Sequence, residues 1–140
     1  MPRIDAFLKI MQEHGVSDLH LSAGCEPMVR VNGVLERAKH RALSEEELQL
    51  LLYELLTDTQ IEHLEKTGEL DCAYTLGDIA RFRVNMYKKH PGLAGAFRMI
   101  PNQIPTLDEL GFPAILKEML RKRSGLVLVT GPTNSGKSTT

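Results

Sequence analysis

Gly131-Pro132-Thr133-Asn134-Ser135-Gly136-Lys137-Ser138 is the stretch whose residue types and spacing speak most directly of chemistry. It has the form G-x-x-x-x-G-K-[ST], a P-loop. Small residues there let successive backbone N–H groups converge on a phosphate, and the N-terminus of a following helix adds the positive end of its dipole. Lys137 is placed to neutralise β- and γ-phosphates and the Ser138 hydroxyl to ligate Mg²⁺, with Thr139 the next cofactor-binding candidate. Leu126-Val127-Leu128-Val129-Thr130 runs directly into the motif. An unbroken apolar run of this kind predicts a strand buried on both faces of a parallel sheet. The bare pattern arises by chance in roughly one chain per few hundred of this length. A strand-type run immediately before it makes coincidence rarer, so a ligand-free Gly/Ser turn is the weaker reading.

A second pair of residues bears on chemistry through register. Ala80, Phe82, Val84 and Met86 alternate with Arg81, Arg83, Asn85 and Tyr87, and Leu93, Gly95, Phe97 and Met99 alternate with Ala94, Ala96, Arg98 and Ile100. A tight reversal around His90-Pro91 sets Phe82 near Met99 and Val84 near Phe97, which keeps both apolar sets on one face. The same register puts Arg83 beside Arg98 on the other. Two like charges side by side are unfavourable by themselves, and an anion between them reverses the sign. Pattern alone slightly favours arginines that splay into water. Removing either should leave the fold intact, with a slight gain from relieved repulsion.

The elements that must position these residues can be read in order. Ile4, Phe7, Leu8 and Met11 have helical spacing over residues 4–14, and Gly15 can stop that helix. Leu19 and Leu21 flank His20 in a short strand, where His20 reads as a strand residue rather than a ligand or base. Met28–Val31, Asn32-Gly33 and Val34–Arg37 form a hairpin signal, because Asn-Gly supplies the two positive-φ residues of a type I′ turn. Ser44 with Glu47 is a capping box, opening a helix that carries Leu48, Leu51, Leu52, Leu55 and Leu56. A shorter helix from about 58 to 66 ends at Gly68, and strands follow near 69–76, 79–89 and 93–100. Pro101-Asn102-Gln103-Ile104-Pro105 reads as a linker. Thr106–Glu109 is a second capping box, and Pro113 sits at a first helical position before a helix closed by Arg121-Lys122-Arg123.

Bulk properties exclude several classes. The chain has 140 residues with 42% apolar and 25% charged residues, the size and balance of about one globular domain. No run approaches the roughly 20 apolar residues of a membrane span, and the N-terminus carries no secretory h-region. Net charge is −1, without the basic excess of a nucleic-acid binder. Cys25 and Cys72 form no CxxC pair and read as reduced cytosolic thiols. The five histidines share no metal-ligand spacing such as HExxH.

Four segments, taken together and in this order, resemble the PilT-like retraction ATPases of type IV pili, within the secretion ATPase superfamily. They are Ser17–Gly24, Arg81–Asn85, Ile104–Gly111 and Gly125–Thr133, and they run across essentially the whole chain. The resemblance implies an α/β (α+β) fold: a PAS-like domain over 1–100 with an antiparallel sheet and flanking helices, a linker and helix over 101–123, and the first strand and P-loop of a truncated RecA-like domain over 124–140. It implies ATP and Mg²⁺ as ligands of Gly131–Thr139, and Arg83 and Arg98, with Arg81 a weaker candidate, as arginines that reach nucleotide. It further implies a homohexamer on the inner-membrane pilus platform, cytoplasmic and peripheral to that membrane, with neither bilayer insertion nor nucleic acid. The family usually has Gly where this chain has Asn134, the non-Gly residue that best tolerates positive φ, so phosphate binding is expected to be kept. No second strand supplies an acidic residue for the metal, so the rest of a catalytic core is expected outside these residues and the stretch itself should not turn over ATP.

Two other readings compete. One is a PAS-like assembly or binding module with a vestigial P-loop tail. The other is a pilus extension or type II secretion ATPase, relatives that usually carry long extra N-terminal domains, whereas here the family segments begin within 20 residues of Met1.

Overall fold

The computed structural model describes residues 2–100, 106–132 and 136. Two compact units are present, Met1–Asn102 and Gln103–Thr140. The fold is α+β. In the first unit the order is α1 (Ile4–Glu13), β1 (Val16–Ser22), β2 (Met28–Val31), β3 (Val34–Arg37), α2 (Glu45–Tyr53), α3 (Asp58–Thr67), β4 (Glu69–Leu76), β5 (Ala80–Lys88) and β6 (Leu93–Ile100).

The six strands form one sheet in the order β3-β2-β1-β6-β5-β4, and every neighbouring pair is antiparallel. All three helices cover one face. Ile4, Leu8 and Met11 of α1, Leu48, Leu51 and Leu52 of α2, and Leu64 of α3 share a core with Leu19, Leu21, Phe82, Val84, Met86 and Phe97 of the strands. Phe82 is fully buried and Phe97 nearly so; burying rings of that size contributes much of the core's hydrophobic stabilisation.

Local chemistry sets the element ends. Asn32 and Gly33 have φ of 49° and 83°, as a type I′ hairpin requires. Ser44 caps α2 by accepting from the Glu47 N–H while Glu47 accepts from the Ser44 N–H. This helix ends at Tyr53, so Leu55 and Leu56 lie beyond it, because Thr57 and Gln60 form a capping box of their own that starts α3. Gly68, at φ 81°, closes α3 in the left-handed conformation. The β5–β6 register pairs Phe82 with Met99, Val84 with Phe97 and Arg83 with Arg98, as the alternation predicts.

The second unit departs from the sequence expectation in two ways. Thr106 and Glu109 do make the reciprocal capping contacts, yet residues 107–111 form a turn; helix α4 (Ala114–Leu120) follows where expected, with Pro113 as its N-cap rather than its first residue. Gly111, at φ 72°, interrupts the path between them. Residues 125–130 take no strand pairing, and Leu126–Val129 are exposed. A parallel-type strand needs neighbours to receive its ladder bonds, and no described residue of this unit provides one.

Candidate functional site

With all three helices on one side, the sheet's other face is left uncovered by any described element of the first unit. Alternation sends Asp18, His20 and Ser22 of β1, Arg81, Arg83, Asn85 and Tyr87 of β5, and Ala94, Ala96 and Arg98 of β6 to that face. A register shift between Val16 and Asp18 makes Ser17 a bulge residue. It lets Val16 pack in the core and still turns Asp18 to the open face, the re-aiming that bulges perform.

The pairings set Arg30, Asp18, Arg98 and Arg83 in one row across β2, β1, β6 and β5. Asp18 sits between two of these cations and is only 10% exposed at its side chain. Arg98 donates from Nε to its Oδ1 at 2.8 Å, Ser17 donates from Oγ to its Oδ2 at 2.8 Å, and Arg30 Nε lies 3.4 Å away. Burial pushes the Asp18 carboxyl up, but the hydrogen bonds from Arg98 and Ser17 and the charges of Arg98 and Arg30 outweigh it, leaving the pKa below the usual aspartate value.

Arg83 has a different partner. Its Nε and one terminal nitrogen each approach Asp71 of β4 at 3.3 Å, and both side chains are well exposed. Asn85 donates to Glu69 at 3.1 Å beside them. Together Asp18, His20, Asp71, Arg83, Asn85 and Arg98 line a depression of about 270 Å³. Arg81 shares the face but does not line this depression; it pairs in register with Ile100 and Thr75.

The structure thus brings Arg83 and Arg98 side by side, but corrects the picture of cations splayed into water. Each is tied to a carboxylate. The sequence reading missed Asp18 and Asp71 as members of the site. Their signal was present: Asp18 alternates with Leu19 and Leu21, and Asp71 with Leu70 and Cys72, so each had to face away from the core. Three cations, Arg30, Arg83 and Arg98, thus meet three carboxylates, Asp18, Asp71 and Glu69, so an anion that binds here must displace or share a carboxylate.

Of the predicted phosphate loop, Gly131, Pro132 and Gly136 are described; Thr133, Asn134, Ser135, Lys137, Ser138 and Thr139 lie outside the described residues. Gly136 has φ 89°, a backbone conformation that favours glycine. Lys137 and Ser138 follow it directly in sequence. Cys25 is exposed and Cys72 half-buried, and both are free thiols. No helix among the described residues is long and apolar enough to cross a membrane.

No family model matches the chain. Individual proteins do. It is 41% identical over 137 residues to the type IV pilus retraction ATPase PilT of Pseudomonas aeruginosa, covering 98% of this chain and 40% of that protein. It is 40% identical over 118 residues to a twitching motility protein of Neisseria gonorrhoeae, covering 84% of this chain and 32% of that one. Among solved structures, the pilus retraction motor PilT with bound ADP superposes with a TM-score of 0.83 at 37% identity, covering 97% of this chain and 40% of the other. The chain therefore spans about two fifths or less of the length of these relatives. In sequence and in fold it is PilT-like, a counterpart of part of the type IV pilus retraction ATPases.

Proposed function

We propose that this chain is part of an ATP-hydrolysing motor that powers type IV pilus retraction. In this reading residues 1–100 are a PAS-like domain, 101–123 a linker and helix, and 124–140 the start of a RecA-like ATPase core. Gly131–Gly136 cradle the phosphates through their backbone N–H groups, which Pro132 alone lacks, Lys137 neutralises the β- and γ-phosphates, and the Ser138 hydroxyl holds Mg²⁺, with Thr139 beside it. Mg²⁺, when bound, supplies charge neutralisation on the phosphate oxygens. Arg83 and Arg98 meet phosphate charge across a domain or subunit boundary. The motor works as a homohexamer on the cytoplasmic side of the inner membrane, against the pilus platform, and the 1–140 stretch alone does not turn over ATP.

The observation that carries the reading is the placement of Arg83 beside Arg98 on one uncovered sheet face, in a chain that is PilT-like over 98% of its length. A face built only to solvate the sheet has no need to crowd two arginines in one row. The ADP in the related PilT structure supports a nucleotide as the anion.

The test is ATP hydrolysis by the longer protein that carries this chain. Lys137→Ala should abolish it. Arg83→Ala and Arg98→Ala should each lower turnover by roughly 10³-fold, the scale of an arginine finger. Turnover within about twofold of wild type in both arginine variants would remove the phosphate role from this face.

A further inference from the structure

The two arginines are wired differently, and the difference lies in their carboxylates. Asp18 is nearly buried, takes hydrogen bonds from Ser17 and Arg98, and has Arg30 on its far side. It is locked from three directions. Arg98 is held through Nε, yet its side chain remains 71% exposed. That geometry anchors the root of the guanidinium and presents its outer part to the open face. Asp71 is half-exposed, and its contacts to Arg83 are long, 3.3 Å at both nitrogens. An exposed pair of this kind is weak and readily exchanged.

We propose that these carboxylates give the two arginines separate duties: Asp18 is a positioning residue that preorganises Arg98, and Asp71 is a resident counterion that Arg83 must leave before it engages an incoming phosphate. The proposal rests on the phosphate role given to Arg83 and Arg98 above. Physically, an aimed donor stabilises charge in the transition state without reorganising, so the Asp18 contact acts on turnover. A carboxylate that competes with the phosphate for the same guanidinium weakens nucleotide binding instead, so the Asp71 contact acts on affinity. The arrangement keeps Arg83 neutralised while no nucleotide faces it and leaves Arg98 aimed throughout.

The experiment measures kcat and KM for ATP in the longer protein, using Asp18→Asn, Asp71→Asn, Arg83→Ala, Arg98→Ala and the doubles Asp18→Asn/Arg98→Ala and Asp71→Asn/Arg83→Ala. Asp18→Asn should lower kcat by roughly tenfold to 10²-fold, the scale of a misplaced group, with KM no higher than wild type. In the Arg98→Ala background it should cost nothing more, because a residue that acts through another loses its effect when that other is gone. Asp71→Asn should lower KM by about two- to fivefold, the range of an exposed ion pair, with kcat retained, and should have no effect in the Arg83→Ala background. Should Asp18→Asn not fold, Asp18→Glu keeps the charge but shifts it by a methylene, and the same drop in kcat is expected. Strong losses in both arginine variants together with additive Asp18 effects, or with an unchanged KM in Asp71→Asn, overturn this proposal alone. Wild-type rates in both arginine variants overturn it together with the functional reading.

Discussion

Arg98 donates to Asp18 at 2.8 Å across the β1–β6 pair, joining residues 80 positions apart in the chain. That contact reverses an expectation. Taken by themselves, Arg83 and Arg98 are crowded like charges, and removing one should relieve the sheet. With Asp18 lodged between Arg98 and Arg30, the sign changes for Arg98.

Arg98→Ala is therefore expected to destabilise the fold slightly, by roughly 0.2–1 kcal/mol, since the arginine is exposed and solvent screens the pair. Asp18 keeps Ser17 and Arg30 as partners, which limits the loss. Arg83→Ala frees only the half-exposed Asp71 and should stay within about 0.5 kcal/mol of wild type. Urea denaturation of the two variants checks the order. Greater stability in Arg98→Ala would mean that repulsion, not the Asp18 contact, dominates the row.

Tyr74→Phe should cost more than either arginine. The Tyr74 hydroxyl donates at 2.7 Å to Asp5, a carboxylate on α1 that is only 5% exposed. Without that donor the buried acceptor loses a charge-assisted bond, worth about 1.5–3 kcal/mol. The same contact predicts alkaline behaviour. Burial first, then the bond to Asp5, pushes the Tyr74 pKa up from 10.0 to about 12. A folded pKa above the unfolded one means the contribution is complete below pH 10.0 and is lost as pH rises through about 12. Thermal melts from neutral to alkaline pH should show a steeper decline for wild type than for Tyr74→Phe, and parallel curves would count against it.

Much of this fold was legible because its signals are local. Asn32-Gly33 specifies its turn by dihedral preference alone, Ser44 and Glu47 specify the start of α2, and strict alternation over Ala80–Met99 fixes the β5–β6 register and hence the Arg83–Arg98 pairing. What stayed hidden depends on tertiary neighbours. The adjacency of β1 and β6 is a long-range pairing that no pattern within Val16–Ser22 announces, so Asp18 could not be matched to Arg98 in advance. The run Leu126–Val129 reads as a buried strand only if partners stand beside it, and no described residue of its unit supplies them. Thr106 and Glu109 show the converse limit: a correct capping signal closed a turn rather than a helix.

Acid should weaken the domain through its depressed carboxylates, Glu47 and Asp18 among them. Glu47 is held down to about 2 from 4.5 by its hydrogen bonds from Arg41 and then by the Ser44 backbone N–H. Asp18 is also depressed, where the Arg98 and Ser17 bonds overcome burial. For a depressed pKa, the contribution is present above the unfolded value and disappears as pH falls through the folded one. Glu47 acts between pH 4.5 and about 2, and Asp18 acts below its ordinary 3.8. Denaturation midpoints should fall across that window, and Asp18→Asn should flatten the fall. High salt should shrink the Glu47 share, because that pair is exposed. An acid limb identical in Asp18→Asn and wild type would show that the carboxylate is not linked to folding.

Gly95 ties the core to the arginine row. It lies on the helix-covered face of β6, where an added Cβ would stand 3.0 Å from Leu52 Cδ2 and 3.2 Å from Phe97 Cε2. Leu52 is fully buried in the core, and Phe97 is nearly so, which leaves little room for either to yield. Gly95→Val adds a branched side chain at that spot and should cost about 1–3 kcal/mol through overpacking. The functional consequence follows from the same crowding. Whatever β6 does to relieve contact with Leu52 moves Ala96 and Arg98 on its other side, since alternate residues share one backbone. Gly95→Val should thus lower stability and also turnover in the longer protein, with the turnover loss persisting at temperatures where the variant is fully folded. Loss of stability with unchanged kcat in the folded variant would show that Arg98 tolerates displacement of its strand, and the need for an accurately aimed guanidinium would fall with it.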